Sequence, residues 1–143
     1  MKIVGRRILR GSISNANLGP KIPLVLDDGL INKGLRIVSL KVFPSSLDPS
    51  AQLQFMLASR VLTPATNEWN AEDSAQVAWA MWGNPQGYWS CIDYRAIIVR
   101  DLVIHPFSES ASQDWNYVIE VDVLELTDDE SIFAIIREEG QDV

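Results

Sequence analysis

YWSCIDYRAIIVRDLVIHPF, residues 88 to 107, is the stretch whose reading decides the fold. From Ala96 to Ile104 it is almost continuous aliphatic and β-branched sequence, rich in strand formers and far shorter than the roughly 20 residues a membrane-spanning helix needs. A strand apolar on both sides belongs in the middle of a fold, so the segment predicts a central strand. Arg100 and Asp101 interrupt it on opposite faces. Because an unpaired buried charge is costly, each is expected to reach an edge or a partner of its own.

The segments on either side are shorter and alternate. Trp115 to Leu126 places Tyr117, Ile119, Val121 and Val123 on one face and Asn116, Glu120 and Asp122 on the other, the pattern of a sheet strand with one wet side. Ala51 to Val61 alternates Leu53, Phe55, Leu57, Ser59 and Val61 against Gln52, Gln54, Met56, Ala58 and Arg60; its Ala, Leu, Met and Gln would also suit a helix, and the strand reading is preferred. Gln76 to Trp82 alternates too, with Val77, Trp79 and Met81 as the apolar set, and Gly83 to Gly87 has the length and residues of a hairpin turn into Tyr88 to Ile92. Leu35 to Phe43 reads as a strand with apolar residues on both faces. Ile22 to Leu26 is a short strand whose Pro23 assigns it to an edge or a strand start. Residues 1 to 13, with Arg6, Arg7 and Arg10 among apolar neighbours and Gly5 as a break, fit a basic N-terminal arm or an edge strand.

Only the end of the chain reads as helix. Thr127 followed by Glu130 is a capping-box pattern, Ile132, Phe133, Ile135 and Ile136 form an apolar stripe, and Gly140 is a stop, so one short C-terminal helix is expected over 127 to 139. About eight strands with turn signals between them in a chain of this length predict one all-β domain over residues 1 to 143: an antiparallel β-sandwich, jelly-roll-like. An immunoglobulin-like sandwich is the other candidate, but the paired cysteines around a core tryptophan are missing.

With 47% hydrophobic and 22% charged residues the chain has the composition of a folded domain. No apolar run is long enough to span a membrane and MKIVGRRILR has no signal-peptide core, so synthesis in a cytosol is expected. The net charge of −7 is uneven: residues 1 to 41 carry Lys2, Arg6, Arg7, Arg10, Lys21, Lys33, Arg36 and Lys41 against Asp27 and Asp28, whereas the chain from Glu120 onward is acidic apart from Arg137. Such polarity fits either head-to-tail contact between copies or a meeting of the two ends within one subunit. It disfavours general binding to nucleic acid.

Chemistry is harder to find. His105 is the only histidine and Cys91 the only cysteine, which removes a multi-histidine or cysteine metal site. His105 reads as a structural residue at a strand end, and Cys91 as a small buried thiol rather than half of a Cys91/His105 dyad. Phosphate-loop, GxSxG and HExxH motifs are absent, and turns and a helix cap explain the acidic runs without a cation. No catalytic residue, metal or cofactor is therefore predicted. The tryptophans are the richer signal: Trp69 lies in a polar loop, Trp82, Tyr88 and Trp89 flank the 83 to 87 turn, and exposed aromatics anchor interfaces or stack on sugars.

LDDGLINKGLRIVSLKVFP (26 to 44), QVAWA (76 to 80), IIVRDLVI (97 to 104), NYVIEVD (116 to 122) and LTDDESI (126 to 132) together resemble small structural proteins of marine bacteriophages, minor capsid or capsid-associated. The resemblance spans most of the chain and includes no catalytic motif. It implies a jelly-roll subunit of the virion, made in the host cytoplasm, that assembles symmetrically with itself and with other virion proteins. Arg6, Arg7 and Arg10 with Trp69, Trp82, Tyr88 and Trp89 are then the expected interface residues. The alternative from another class is a carbohydrate-binding β-sandwich stacking sugars on Trp82, Tyr88 and Trp89.

Overall fold

In the computed structural model, residues 2–25, 32–46, 51–62, 69–83, 87–99, 101–108, 113–130 and 132 are described. The strand with the cleanest alternation, β8 (Trp115–Glu125), lies between β1 (Lys2–Ile13) and β3 (Lys33–Pro44) in a three-stranded antiparallel sheet. Trp115, Tyr117, Ile119 and Val121 point from it into the core as the alternation predicts. The second sheet is five-stranded, in the order β2 (Ile22–Val25), β7 (Asp101–Phe107), β4 (Leu53–Ala58), β5 (Gln76–Gly83), β6 (Gly87–Ile92). Leu53, Phe55 and Leu57 of β4, with Leu102 and Ile104 of β7, meet the dry face of β8 in one apolar cluster drawn from both sheets. The protein is an antiparallel β-sandwich.

Its order, 1-8-3 facing 2-7-4-5, is that of a long hairpin rolled up, with 1 beside 8, 2 beside 7 and 4 beside 5; this is the jelly-roll arrangement. One pairing departs from it. β6 makes its ladder with β5 rather than β3, through the turn that begins at Gly83 and ends at Gly87, whose φ of 78° lies in the left-handed region that glycine tolerates. The β3 edge is closed in other ways. The Tyr88 hydroxyl on β6 donates to the Leu40 carbonyl, and Leu35 exchanges two backbone hydrogen bonds of 2.8 Å with Ile98.

That last contact changes the reading of the decisive stretch. Residues 96 to 98 are not part of the strand: after an Asx turn in which the Asp93 side chain accepts the Arg95 N–H, they cross to the first sheet, bridge β3 at Leu35, and only then does β7 begin in the second sheet. The run is apolar throughout because Ala96 and Ile98 fill the core during the crossing, while β7 is covered on both faces. Ile97 passes so close to Gly34 that a Cβ there would stand 2.7 Å from its methyl group and 3.0 Å from Leu126, a close approach that requires glycine. Asp101 is exposed at the start of β7; Arg100 lies outside the described residues.

Two other expectations are corrected by bulges. In β3 the extra residue is Val38, between Ile37 and Ser39, so that Leu35 and Ile37 before it and Leu40 and Val42 after it all face the core. The sequence looks two-sided because the phase of alternation changes halfway. In β5 the extra residue is Val77: it enters the main core, but Trp79 and Met81 take the opposite face, and Ala78, Ala80 and Trp82 point inward. β1 is one continuous edge strand with a bulge at Val4, not a detached arm. At the end of the chain the capping box is present, with Thr127 N–H donating to Glu130 Oε1 at 3.0 Å and Glu130 N–H to Thr127 Oγ1 at 3.2 Å. Residues 128–130 and 132 are helical, and the rest of the expected helix lies outside the described residues.

The Val38 bulge makes a testable prediction. Ile37→Ala and Leu40→Ala should each lower unfolding free energy by about 2–5 kcal/mol, whereas Phe43→Thr should cost less than about 1 kcal/mol. Equilibrium denaturation that finds Ile37 or Leu40 as tolerant as Phe43 would remove the bulge from the account.

Candidate functional site

Three parts of the molecule hold the residues singled out in the sequence: the β1 edge, the outer face of the five-stranded sheet, and the inward corner between β5 and β6.

β1 carries Lys2, Arg6, Arg7 and Arg10 and no acid. On one side it pairs with β8 from Lys2 opposite Glu125 to Ile13 opposite Trp115; among the described residues no strand pairs with its other side. Every residue from Lys2 to Ile8 is exposed, so over this length neither face of the strand is covered. Ile3, Val4 and Ile8 are among the exposed apolar residues, at 56%, 42% and 59%. Arg6 is already engaged: its Nε donates to Asp122 Oδ1 at 3.1 Å, and on the other side of Asp122 the register places Arg36. Glu125 is likewise the cross-strand neighbour of Lys2. The basic and acidic ends of the chain thus meet within one subunit along the β1–β8 ladder. Arg7 and Arg10 form no ion pair among the described residues. They point to opposite faces, Arg7 in phase with inward Val121 and Arg10 in phase with outward Val118.

The outer face of the larger sheet is partly covered by the chain between β4 and β5. Met56, Ala58, Leu62 and Ala75 form a second apolar cluster, with Trp69 and Trp79 packed on it. Gln76 organises the cover, its Oε1 accepting the Asn70 N–H and the Trp79 indole N–H, both at 3.0 Å. Trp69 stacks on Trp89 with ring centroids 6.0 Å apart and an interplanar angle of 17°, leaving Trp89 half exposed at 51%. Trp82 and Tyr88 are elsewhere. They lie on the inward side of β5 and β6, 6.5 Å apart, with Trp82 packed on the main core and the Tyr88 phenol raised in pKa by burial, which a hydrogen bond with the Ser90 side chain opposes. Adjacent strand residues face opposite ways, so Trp82 and Tyr88 share no surface with Trp89.

Cys91 is exposed rather than buried, because β6 is an edge strand and the thiol is on its outward side. The register puts Cys91, Trp79, Met56 and His105 in one row across β6, β5, β4 and β7. Three strand spacings, about 14 Å, separate the thiol from the imidazole, and no dyad forms. His105 is buried and structural. Its Nε2 accepts the Leu62 N–H at 3.3 Å, and the Lys21 ammonium donates to the Leu62 carbonyl, so both backbone groups of Leu62 are held over the sheet. An imidazole accepting at Nε2 carries its proton on Nδ1. Among the described residues no three His, Cys, Asp or Glu side chains converge where a metal could be held. Sequence reasoning had no means of finding the Lys21, Leu62, His105 arrangement, whose partners are 41 and 43 residues apart.

Burial first, and the Lys21 charge second, push the His105 pKa below its ordinary value near 6.5, while the Val103 backbone carbonyl opposes them. The unfolded chain then takes up the proton at higher pH than the folded one. The contribution of His105 is complete above about pH 6.5 and is lost as pH falls from there toward the folded value. Thermal unfolding should show a decline in stability over that interval that is absent in His105→Gln; a decline of equal size in the variant would assign it to other groups.

Compared with known proteins, the chain matches no family model and no curated protein sequence.

Proposed function

We propose that the protein is a structural subunit of a virus particle, a capsid or capsid-associated component that works by associating with copies of itself and with other virion proteins in a symmetric array. The observation that carries the assembly part is β1: a 12-residue edge strand, uncovered on both faces from Lys2 to Ile8, presenting branched aliphatic residues beside Arg7 and Arg10, which form no ion pair among the described residues. Isolated exposed apolar residues are ordinary on a monomer, but several on one open strand edge are what a protein partner covers. The virion part leans on the resemblance of the five segments given above, and the jelly-roll order agrees with it, as an analogy of fold. Under this reading Arg7 and Arg10 are the contact residues of the basic group, with Arg6 serving the subunit's own ladder. Of the aromatic residues expected at the interface, Trp89 and Tyr88 are exposed, Trp89 being braced by Trp69.

Sedimentation or native mass measurement of the purified protein tests the proposal. An oligomer that dissociates as salt approaches about 1 M, where charges are screened beyond roughly 3 Å, is the expected result. A strict monomer at every concentration would overturn it. The carbohydrate-binding reading keeps one observation in its favour, the half-exposed Trp89 face. It requires glycan binding that disappears in Trp89→Ala and is indifferent to Trp82→Phe, since Trp82 faces the core side.

A further inference from the structure

We infer that the edge of β1 left unpaired among the described residues is a strand-addition site for an extended, acidic polypeptide segment. The inference uses the same strand as the assembly reading but does not require the partner to be another copy of this chain.

An edge strand offers the outward backbone N–H and C=O groups of every second residue, so half of β1 is a row of donors and acceptors that no strand among the described residues satisfies. Charge selects what can use them. With basic residues at 2, 6, 7 and 10 and no acid, β1 repels a copy of itself: antiparallel pairing centred on Arg6 would set Arg6 against Arg6 and Lys2 against Arg10. Neutral or basic strands gain nothing from the arginines. An acidic one does, and the subunit already contains an example of the match in β8, which places Asp122 against Arg6 and Glu125 against Lys2.

The second strand would meet what β8 leaves over. Arg7 and Arg10 are three residues apart and therefore on opposite faces, so the partner segment needs acids on both of its faces, three residues apart, with an apolar residue opposite exposed Ile8. Main-chain hydrogen bonds supply the affinity in this mode and the side chains choose the sequence. The two bulges of the small sheet lie at Val4 and Val38, which leaves β1 regular from Gly5 through Ile13 along the whole span that includes Arg7, Ile8 and Arg10.

The probe is a synthetic peptide of residues 118 to 130, VIEVDVLELTDDE, whose acids at 122, 125 and 128 are spaced by three. Its control replaces every acid by the corresponding amide. Titration into the intact protein should show binding by the acidic peptide, together with slowed hydrogen exchange at β1 amides. Arg7→Glu with Arg10→Glu, both at exposed positions, should keep the wild-type thermal transition and weaken binding about tenfold, the size expected for two surface charge contacts reversed. Equal binding of the amide control, equal binding to the double variant, protection confined to other strands, or no binding at all would each overturn the inference. A wild-type protein that sediments as a monomer yet takes the peptide along β1 would end the assembly reading and leave this one standing.

Discussion

The rest of the fold depends on keeping the dry face of β8 in phase with both of its neighbours. A β-strand offers one side chain to each face in turn, and a slip of a single residue moves a whole set from core to water. β1 and β3 run beside β8 for almost its full length, and each has one residue too many to stay in phase, Val4 and Val38. The bulges absorb those residues. They allow Ile37 and Leu40, separated by an odd number of positions, to enter the same core as Ile119 and Val121. Burial of side chains of this size is worth about 1.5–3 kcal/mol each, more than a local interruption of the ladder costs.

The two layers differ in length. The strands of the small sheet have 11 or 12 residues and those of the large sheet 4 to 8. Beside Lys2 to Ile8, β8 and β3 still bury Val121, Leu124, Leu35 and Ile37, so β1 is exposed there as the lateral edge of its sheet. The arginines there follow from the same exposure: they are tolerated because both faces are wet. Arg6 also ties this stretch of β1 to β8 through Asp122, whose carboxylate is largely buried and would be costly there without a cation.

The large sheet spends its outer face differently. The cover built from Leu62, Trp69 and Ala75 makes a second small core over Met56 and Ala58, pinned at one point by His105 and Lys21. This explains why β4 is buried on both sides although its sequence alternates. It also separates the aromatic residues into an outward pair, Trp69 with Trp89, and an inward pair, Trp82 with Tyr88. Among the described residues these surfaces therefore offer strand edges and ring faces.

What the sequence determined by itself is local and periodic. Alternation in Trp115 to Leu126 and in Leu53 to Leu57 named core residues correctly, Pro23 marked an edge strand, and Thr127 with Glu130 marked a helix start, because each signal is set by neighbours within a few positions. What only the tertiary structure decided is non-local. The crossing of residues 96 to 98 looks like strand because a buried connection needs the same apolar residues as a buried strand. The bulges at Val38 and Val77 cannot be seen without the partner strand against which a residue is extra. Whether Cys91 was buried, and which arginine already had its carboxylate, depended on which strands ended at an edge, a property of the assembled sheet that no single strand carries.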